Sequence, residues 1–410
     1  MRFAIIGAGN RGRETYAKLL KEKGFELTAA VDTNADKIET VKNEFNLPDS
    51  RLYDDVDKFF NDLKKEKFTD ILVIATPDRK HYDITLKALD FPVHILLEKP
   101  ISPNEKEVRE IAKKAQNRDY VFMICHVLRY APFYRKIKRL LDDGEIGKIM
   151  TINHNENIGY YHFAHSFVRG NWNNEEKSSP LILQKSCHDM DILLFLTGKK
   201  PKSINSYGNL SYFKKENQPE GASERCIDCK YEKTCVFSAV EFYRSLPERG
   251  WRKVVSEKSG YEALIKALKT NSYGKCVWQS DNDVCDHQSV SIEFEDEISA
   301  VFNLSAFSNE IHRNIKIQGT KGEIIGDDLK EEIMLRHFGE DEIKVFKILD
   351  TSSGHGGGDE ALIDAFVDAV NGDITKVKTG AKESVMSHIM CFASEKSRKE
   401  NIRVNIDDYI

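Results

Sequence analysis

The stretch Phe3-Ala4-Ile5-Ile6-Gly7-Ala8-Gly9-Asn10-Arg11-Gly12 decides how the first part of this chain is read. An apolar run ends on G-x-G-x-x-G, and an amphipathic pattern, Arg13–Lys23, follows at once. Each glycine has its own physical task. Gly7 permits a tight turn, Gly9 lets the backbone approach a pyrophosphate, and Gly12 lets helix and strand pack closely. The helix N-terminus, with Asn10 and Arg11, then turns free N–H groups toward the anion. Glycine turns are common, so context gives the pattern its weight: a strand before, a helix after, and Asp32 ending the next apolar run 20 residues past Gly12.

Asp32 suits the two hydroxyls of an adenosine ribose, and its charge repels a 2′-phosphate; NAD is favoured over NADP. Lys37 and Arg11, close by in sequence, temper that preference. Asp32 also fits as the N-cap of the following helix, a role open to Asn34.

Outward from this turn, residues 1–125 alternate apolar strand runs with amphipathic helices. The strands are Phe3–Ile6, Leu27–Val31, Ile71–Ala75, His94–Leu97 and Val121–Cys125; the helices are Arg13–Lys23, Lys37–Phe45, Val56–Lys65, Tyr82–Leu89 and Glu105–Ala115. Continuous apolar strands are covered on both faces, which predicts a doubly wound parallel sheet of the Rossmann kind. A helix Tyr134–Asp142 stopping at Gly144 leads into a different grammar. Residues 126–410 read as an α+β domain with an open, mainly antiparallel sheet: Lys148–Asn155, Lys202–Leu210, Val290–Phe294, Ser299–Leu304, Ile315–Gln318, Glu323–Gly326 and Glu332–His337. An open sheet leaves a face to cover, which predicts a homodimer or homotetramer through it.

The 410 residues exceed one comfortable core, in keeping with two domains. No basic stripe accompanies the net charge of -5, which argues against a nucleic-acid partner. The opening apolar run is too short for a signal peptide, and no segment reaches 18 unbroken apolar residues; a cytoplasmic protein without a membrane span is expected. Its eight cysteines then stay reduced or bind metal.

Two further motifs end strands of the first domain, where ligands of such folds bind. They are Ala75-Thr76-Pro77, with His81 close behind, and Glu98-Lys99-Pro100. Together with the glycine turn, Arg129-Tyr130-Ala131-Pro132 and Gly144-Glu145-Ile146-Gly147, they make the whole chain resemble the glucose–fructose oxidoreductase and inositol dehydrogenase family, Gfo/Idh/MocA, in a form carrying a cysteine-containing insertion. The resemblance implies that Thr76, Pro77, His81 and Glu98 line the cofactor and that Lys99 sits between nicotinamide and substrate. A lysine partly desolvated beside a cationic ring gives up its proton more readily and can assist proton removal as hydride leaves.

The family's second motif, Asp-x-x-x-His-x-x-Asp, appears as Gln184-Lys185-Ser186-Cys187-His188-Asp189-Met190-Asp191. His188 and Asp191 match; Gln184 replaces the leading Asp, removing the usual orienting carboxylate. A single helix would put Gln184, His188 and Asp191 on one face. His188 reads as the acid/base, with Lys185 as a second one or as a contact for a substrate hydroxyl or carboxylate. A histidine that merely packs two domains fits the same pattern.

From the loop Glu156–Trp172 we select His165, Arg169 and Trp172 as substrate contacts, because rings stack on sugar C–H faces and a guanidinium pairs with a carboxylate. The run Asp281–Gln288 reads as a pocket edge or a turn, and His355-Gly356-Gly357-Gly358-Asp359 as a helix start or a pocket edge. Cys226, Cys229 and Cys235, with Cys276, lie in an insertion at about 212–276; their spacing suggests structural zinc, an iron–sulfur cluster with the same ligands, or simply reduced thiols. The reading is an NAD-dependent oxidoreductase acting on a secondary alcohol of a sugar, polyol or sugar acid. The alternatives are an NAD-dependent glycosidase working by transient oxidation and a non-catalytic NAD-binding regulator.

Overall fold

The computed structural model describes residues 1–116, 118–349 and 354–409. A six-stranded parallel sheet is formed by β1 (Arg2–Ile6), β2 (Glu26–Val31), β3 (Leu52–Tyr53), β4 (Ile71–Ile74), β5 (His94–Leu97) and β6 (Phe122–Ile124), in the order β3-β2-β1-β4-β5-β6. The order in which strands are added reverses between β1 and β4, and that switch point opens a crevice above the carboxyl ends. The central strands are buried on both faces, as continuous runs such as Ile71-Leu72-Val73-Ile74 require.

Two details differ from the periodicity. The helix after the glycine turn begins as a π-helix, Asn10–Ala17, before continuing as Lys18–Glu22. So short a wider-wound stretch leaves the apolar spacing nearly unchanged, although such stretches gather at functional sites. Asn34, not Asp32, caps the helix Ala35–Phe45, accepting from Lys37 N. That leaves the Asp32 carboxylate on the crevice side.

The second sheet has nine strands: β7 (Ile149–Asn157), β8 (Pro201–Asn209), β9 (His287–Phe294), β10 (Ser299–Ser305), β11 (His312–Gly319), β12 (Gly322–Asp327), β13 (Glu332–His337), β14 (Ile343–Lys347) and β15 (Val404–Asn405). Their order is β14-β13-β12-β11-β7-β10-β9-β8-β15, antiparallel except for the β7–β10 pair. β3, β14 and β15 carry no pattern in the sequence: two are two residues long, and β14 is an exposed edge. One face buries Ile152, Ile204, Val290, Phe302 and Ile317 under the helices Pro132–Asp142, Cys187–Thr197 and Ala381–Glu400. The other carries a polar ladder, Ser289–Asn303–Asn155–Asn314, linked side chain to side chain across four strands.

The connection between β8 and β9 forms its own small cluster, in which Tyr243, Leu264 and Leu268 pack around Cys226. The chain then returns to the first sheet. Leu362, Ile363 and Phe366 of the helix Gly358–Val370 share a core with Phe3, Ile5 and Val73. The start of that helix therefore lies beside the glycine turn, which sets up the site below.

Candidate active site

The glycine turn has the shape its residues predict. Gly7 has φ +100°, and a Cβ there would lie 2.4 Å from the Ala75 carbonyl oxygen. A Cβ on Gly12 would lie 1.9 Å from the Gly7 oxygen. Gly9 differs: its φ is -79°, and a Cβ would meet nothing nearer than Lys37 Nζ at 4.0 Å. No side chain caps the helix that starts at Asn10, so its first N–H groups stay open to an anion. Asp32 Oδ2 accepts from Ala8 N at 2.8 Å and Oδ1 from Asn34 N at 2.9 Å, and each oxygen keeps a lone pair for a ribose hydroxyl. Thr76 Oγ1 is buried without a partner, ready for a bond from a ligand. These residues fit a dinucleotide.

Arg11 does not meet the cofactor expectation through its side chain. Its guanidinium donates to Asp359 at 2.8 and 2.9 Å and to Glu98 at 2.6 Å, and it also bonds Tyr16. Those bonds engage four of its five guanidinium N–H donors. His81 is corrected in the same way: its ring nitrogens lie 2.7 Å from the Pro100 carbonyl and 2.8 Å from the Thr76 carbonyl, so it staples the Ala-Thr-Pro and Glu-Lys-Pro turns together. Glu98 receives Tyr16 OH, Arg11 and Lys99 N. Burial opposes its ionisation, yet Arg11 and Lys99 hold the Glu98 carboxyl below its ordinary value. Pro77 precedes the short turn Asp78–Lys80, whose Asp78 binds Ser179 of the second domain at 2.8 Å.

Lys99 crosses between the two sheets. Its Nζ donates to the Gln184 backbone carbonyl at 2.7 Å. The expected single helix is broken there: Leu181–Gln184 ends, Lys185 and Ser186 form a junction, and Cys187–Thr197 begins. Gln184, His188 and Asp191 consequently do not share one helical face. The Gln184 amide turns away, donating to the Trp172 carbonyl at 2.9 Å and accepting from Ser178. Asp191 is also corrected from substrate contact to anchor, since Arg129 clamps it at 2.6 and 2.8 Å.

The junction aims Lys185 at Glu156, 3.0 Å away at the end of β7. Arg313 from β11 bridges Glu156 and Asp189, and His154 reaches Asp189 at 2.8 Å. Burial lowers the Lys185 pKa, Glu156 opposing and Arg313 and Lys99 adding to the fall. His188 is held well below its ordinary value by burial first, then by Lys99 and His126, so it is neutral. Sequence reasoning gave no role to Glu156, Asp189 and Arg313, whose only signal was a charged side chain within or beside a strand or helix pattern. It left His355 open as part of a helix start or a pocket edge.

The substrate expectations for His165 and Arg169 are overturned. His165 is stacked between Trp251 and Tyr273, with Nδ1 2.8 Å from Tyr243 OH. Arg169 is 3% exposed and donates to the carbonyls of Lys275 at 2.7 Å and Phe237 at 2.6 Å, tying down the insertion. Trp172 alone of the three is open, at 42% exposure. Cys226, Cys229, Cys235 and Cys276 do line one cavity, of about 340 Å³, with Arg169 and Trp278. Among the described residues, however, no group of three or more His, Cys, Asp or Glu is placed to hold a metal ion. The zinc or iron–sulfur expectation is corrected accordingly. The Arg169 guanidinium occupies the cluster, bonding Cys226 Sγ at 3.4 Å, and all eight cysteines are free. Asp286 closes a turn, accepting from Ser211 and Tyr212 N–H. Among the described residues no helix is long and apolar enough to cross a membrane.

Comparison with known proteins agrees with the two-part fold. Residues 1–126 match the oxidoreductase family's NAD-binding Rossmann fold, and residues 138–406 match its C-terminal alpha/beta domain. The chain is 22% identical over 383 residues to the oxidoreductase YteT of Bacillus subtilis (strain 168), covering 88% of this chain and 87% of that one. It is 25% identical over 206 residues to 2,7-anhydro-N-acetylneuraminate hydratase of Mediterraneibacter gnavus, spanning 50% of this chain and 52% of that relative. An oxidoreductase from Agrobacterium radiobacter, solved with NAD+, L-tartaric acid and magnesium, superposes with a TM-score of 0.70 at 14% identity, over 100% of this chain and 99% of that one. With both family domains matched in order along the chain, the chain belongs to the Gfo/Idh/MocA oxidoreductase family.

Proposed function

We propose that this protein transfers a hydride between NAD and a secondary alcohol of a sugar, polyol or sugar acid. The observation that carries the reading is the reach of Lys99 Nζ to the Gln184 carbonyl, which sets the first domain's lysine at the junction holding Lys185 and leading to His188. NAD supplies the hydride acceptor. Lys99 donates a hydrogen bond to the reacting oxygen and favours loss of its proton. His188, neutral through burial, accepts that proton. Lys185, its charge balanced by Glu156, binds a neighbouring hydroxyl or carboxylate or serves as a second acid/base. With Arg169 spent on carbonyls, Lys185 replaces it as the cation for an acidic sugar. Trp172 offers a ring face, and Asp32 selects NAD by charge. Relatives named inositol 2-dehydrogenase and 2,7-anhydro-N-acetylneuraminate hydratase support a polyol or sugar acid. A second copy laid on the uncovered sheet face accounts for its amide ladder.

The test is to incubate the purified protein with NAD and a panel of polyols, sugars, uronates and aryl glycosides, following NADH absorbance and glycoside cleavage together. Lys99→Met is expected to lower turnover on the best alcohol by about 10²-fold or more, with NAD still bound. Full turnover in Lys99→Met, or cleavage without NADH release, overturns the reading.

A further inference from the structure

Gln184 leaves His188 without a carboxylate partner, and the fold presents a different group to it. The His188 ring lies 5.8 Å from that of His355 and 5.7 Å from that of His126. His188 is 3% exposed, and its Nδ1 is buried with no hydrogen-bond partner. A buried polar atom without a hydrogen-bond partner is costly, so one beside a candidate reaction centre calls for a role.

His126 is a dead end for a proton. It is fully buried and its Nδ1 is unpartnered; its Nε2 meets Ser387 Oγ at 3.5 Å, and that buried hydroxyl leads only to the Ser384 carbonyl and to buried His388, which is closed by Ile101 N and the same carbonyl. His355 is different. Its Nδ1 lies 3.1 Å from Asp359 Oδ1, and its side chain is 35% exposed. A carboxylate only accepts, so Nδ1 carries the proton and Nε2 keeps its lone pair. Asp359 is fixed in turn by the two-pronged Arg11 contact under the glycine turn. The backbone also holds this ring in place: His355 has φ +55°, followed by Gly356 at +59° and Gly357 at +85°. The left-handed region is uncommon for a residue with a side chain.

We propose that His355, oriented by Asp359, is the proton-accepting partner of His188 and fills the role of the missing carboxylate. This rests on the reading of the crevice as alcohol-oxidising. In the step, the substrate C–H and O–H bonds break and the C=O bond forms. The hydride goes to NAD, and the hydroxyl proton goes to one His188 ring nitrogen. The other His188 nitrogen passes its proton to His355 Nε2, and half-exposed His355 passes one to water. The reverse reaction runs the same path backward. His355 is thus a positioning and proton-carrying residue and does not touch the reacting carbon.

Two readouts test it on the full chain with NAD bound. Long-range proton–nitrogen NMR spectra of histidine-labelled protein, with His188 assigned through His188→Asn, report the His188 tautomer without any substrate. Turnover, KM and NAD affinity are measured on the best alcohol of the panel. His355→Phe and His355→Gln are expected to shift the His188 ring signals and to lower kcat by about tenfold or more, with KM and NAD affinity within about threefold. Unchanged His188 signals, or shifted signals with unchanged kcat, overturn the proposal. If the wild type oxidises no alcohol, the dehydrogenase reading fails, and the His188 signals alone still decide whether the pair exists.

Discussion

Gly9→Ala separates the cofactor role of the glycine turn from its structural role. At φ -79° the backbone is ordinary for alanine, and the new Cβ has no protein atom closer than 4.0 Å. The fold should therefore accept the methyl; removing glycine freedom from the unfolded chain adds roughly 0.4–1 kcal/mol of stability. The space it fills is the space a pyrophosphate needs. Forcing a methyl group into a closely packed contact costs about 1–3 kcal/mol, which is roughly a 5- to 150-fold rise in the Kd for NAD. Gly12→Ala is the contrast, because its Cβ would overlap the Gly7 carbonyl at 1.9 Å and the turn itself must move. Thermal unfolding without NAD and calorimetric titration with NAD distinguish the two. Gly9→Ala should unfold at or slightly above the wild-type temperature yet bind NAD poorly. Wild-type NAD affinity in Gly9→Ala would refute the argument that the open space at Gly9 is the pyrophosphate cradle.

Other outcomes follow from the same geometry. Asp32→Ser removes the carboxylate facing the crevice beside Lys37, 3.8 Å away; the Kd for NAD should rise by about tenfold and the preference over NADP should narrow, as competition titrations would record. Arg169→Met leaves the Lys275 and Phe237 carbonyls unpaired and should cost about 2–4 kcal/mol, seen as faster proteolysis within 212–276 with NAD affinity unchanged. Acid should destabilise the protein through buried histidines: burial, with Arg169 nearby, pulls His165 down to about 4, and burial, with His126 nearby, pulls His388 down to about 3. Because the folded state takes up these protons later than the unfolded chain, whose histidines titrate near about 6.5, stability is intact above that pH. It is lost as pH falls toward 4, by at most roughly 3 kcal/mol for His165. His165→Phe should flatten that slope in denaturant titrations, and an unchanged slope would exclude it as a source.

The legible parts of the site were those set by local backbone and strand ends. The glycine turn, Asp32 and Glu98-Lys99 each follow an apolar strand, and a parallel sheet delivers every such end to one edge. Misreadings clustered where a side chain's partner is remote in sequence. Arg169 reads as a carboxylate binder until Lys275 and Phe237, 106 and 68 residues away, claim its donors. Arg11 reads as a cofactor contact until Asp359 arrives from the far end of the chain. The cysteine spacing suggested metal, but spacing does not show that a guanidinium stands among the thiols.

The amino-acid sequence by itself therefore determined the doubly wound sheet and the glycine turn of an NAD-binding fold, because strand periodicity and glycine sterics act over a few residues. Tertiary structure alone decided which charges remain for chemistry. The break at Lys185-Ser186 turned Lys185 onto Glu156, and the return of the chain at Gly358 set His355 and Asp359 between the glycine turn and His188. Charge partners are fixed by proximity in space, and long-range packing, not local pattern, creates that proximity.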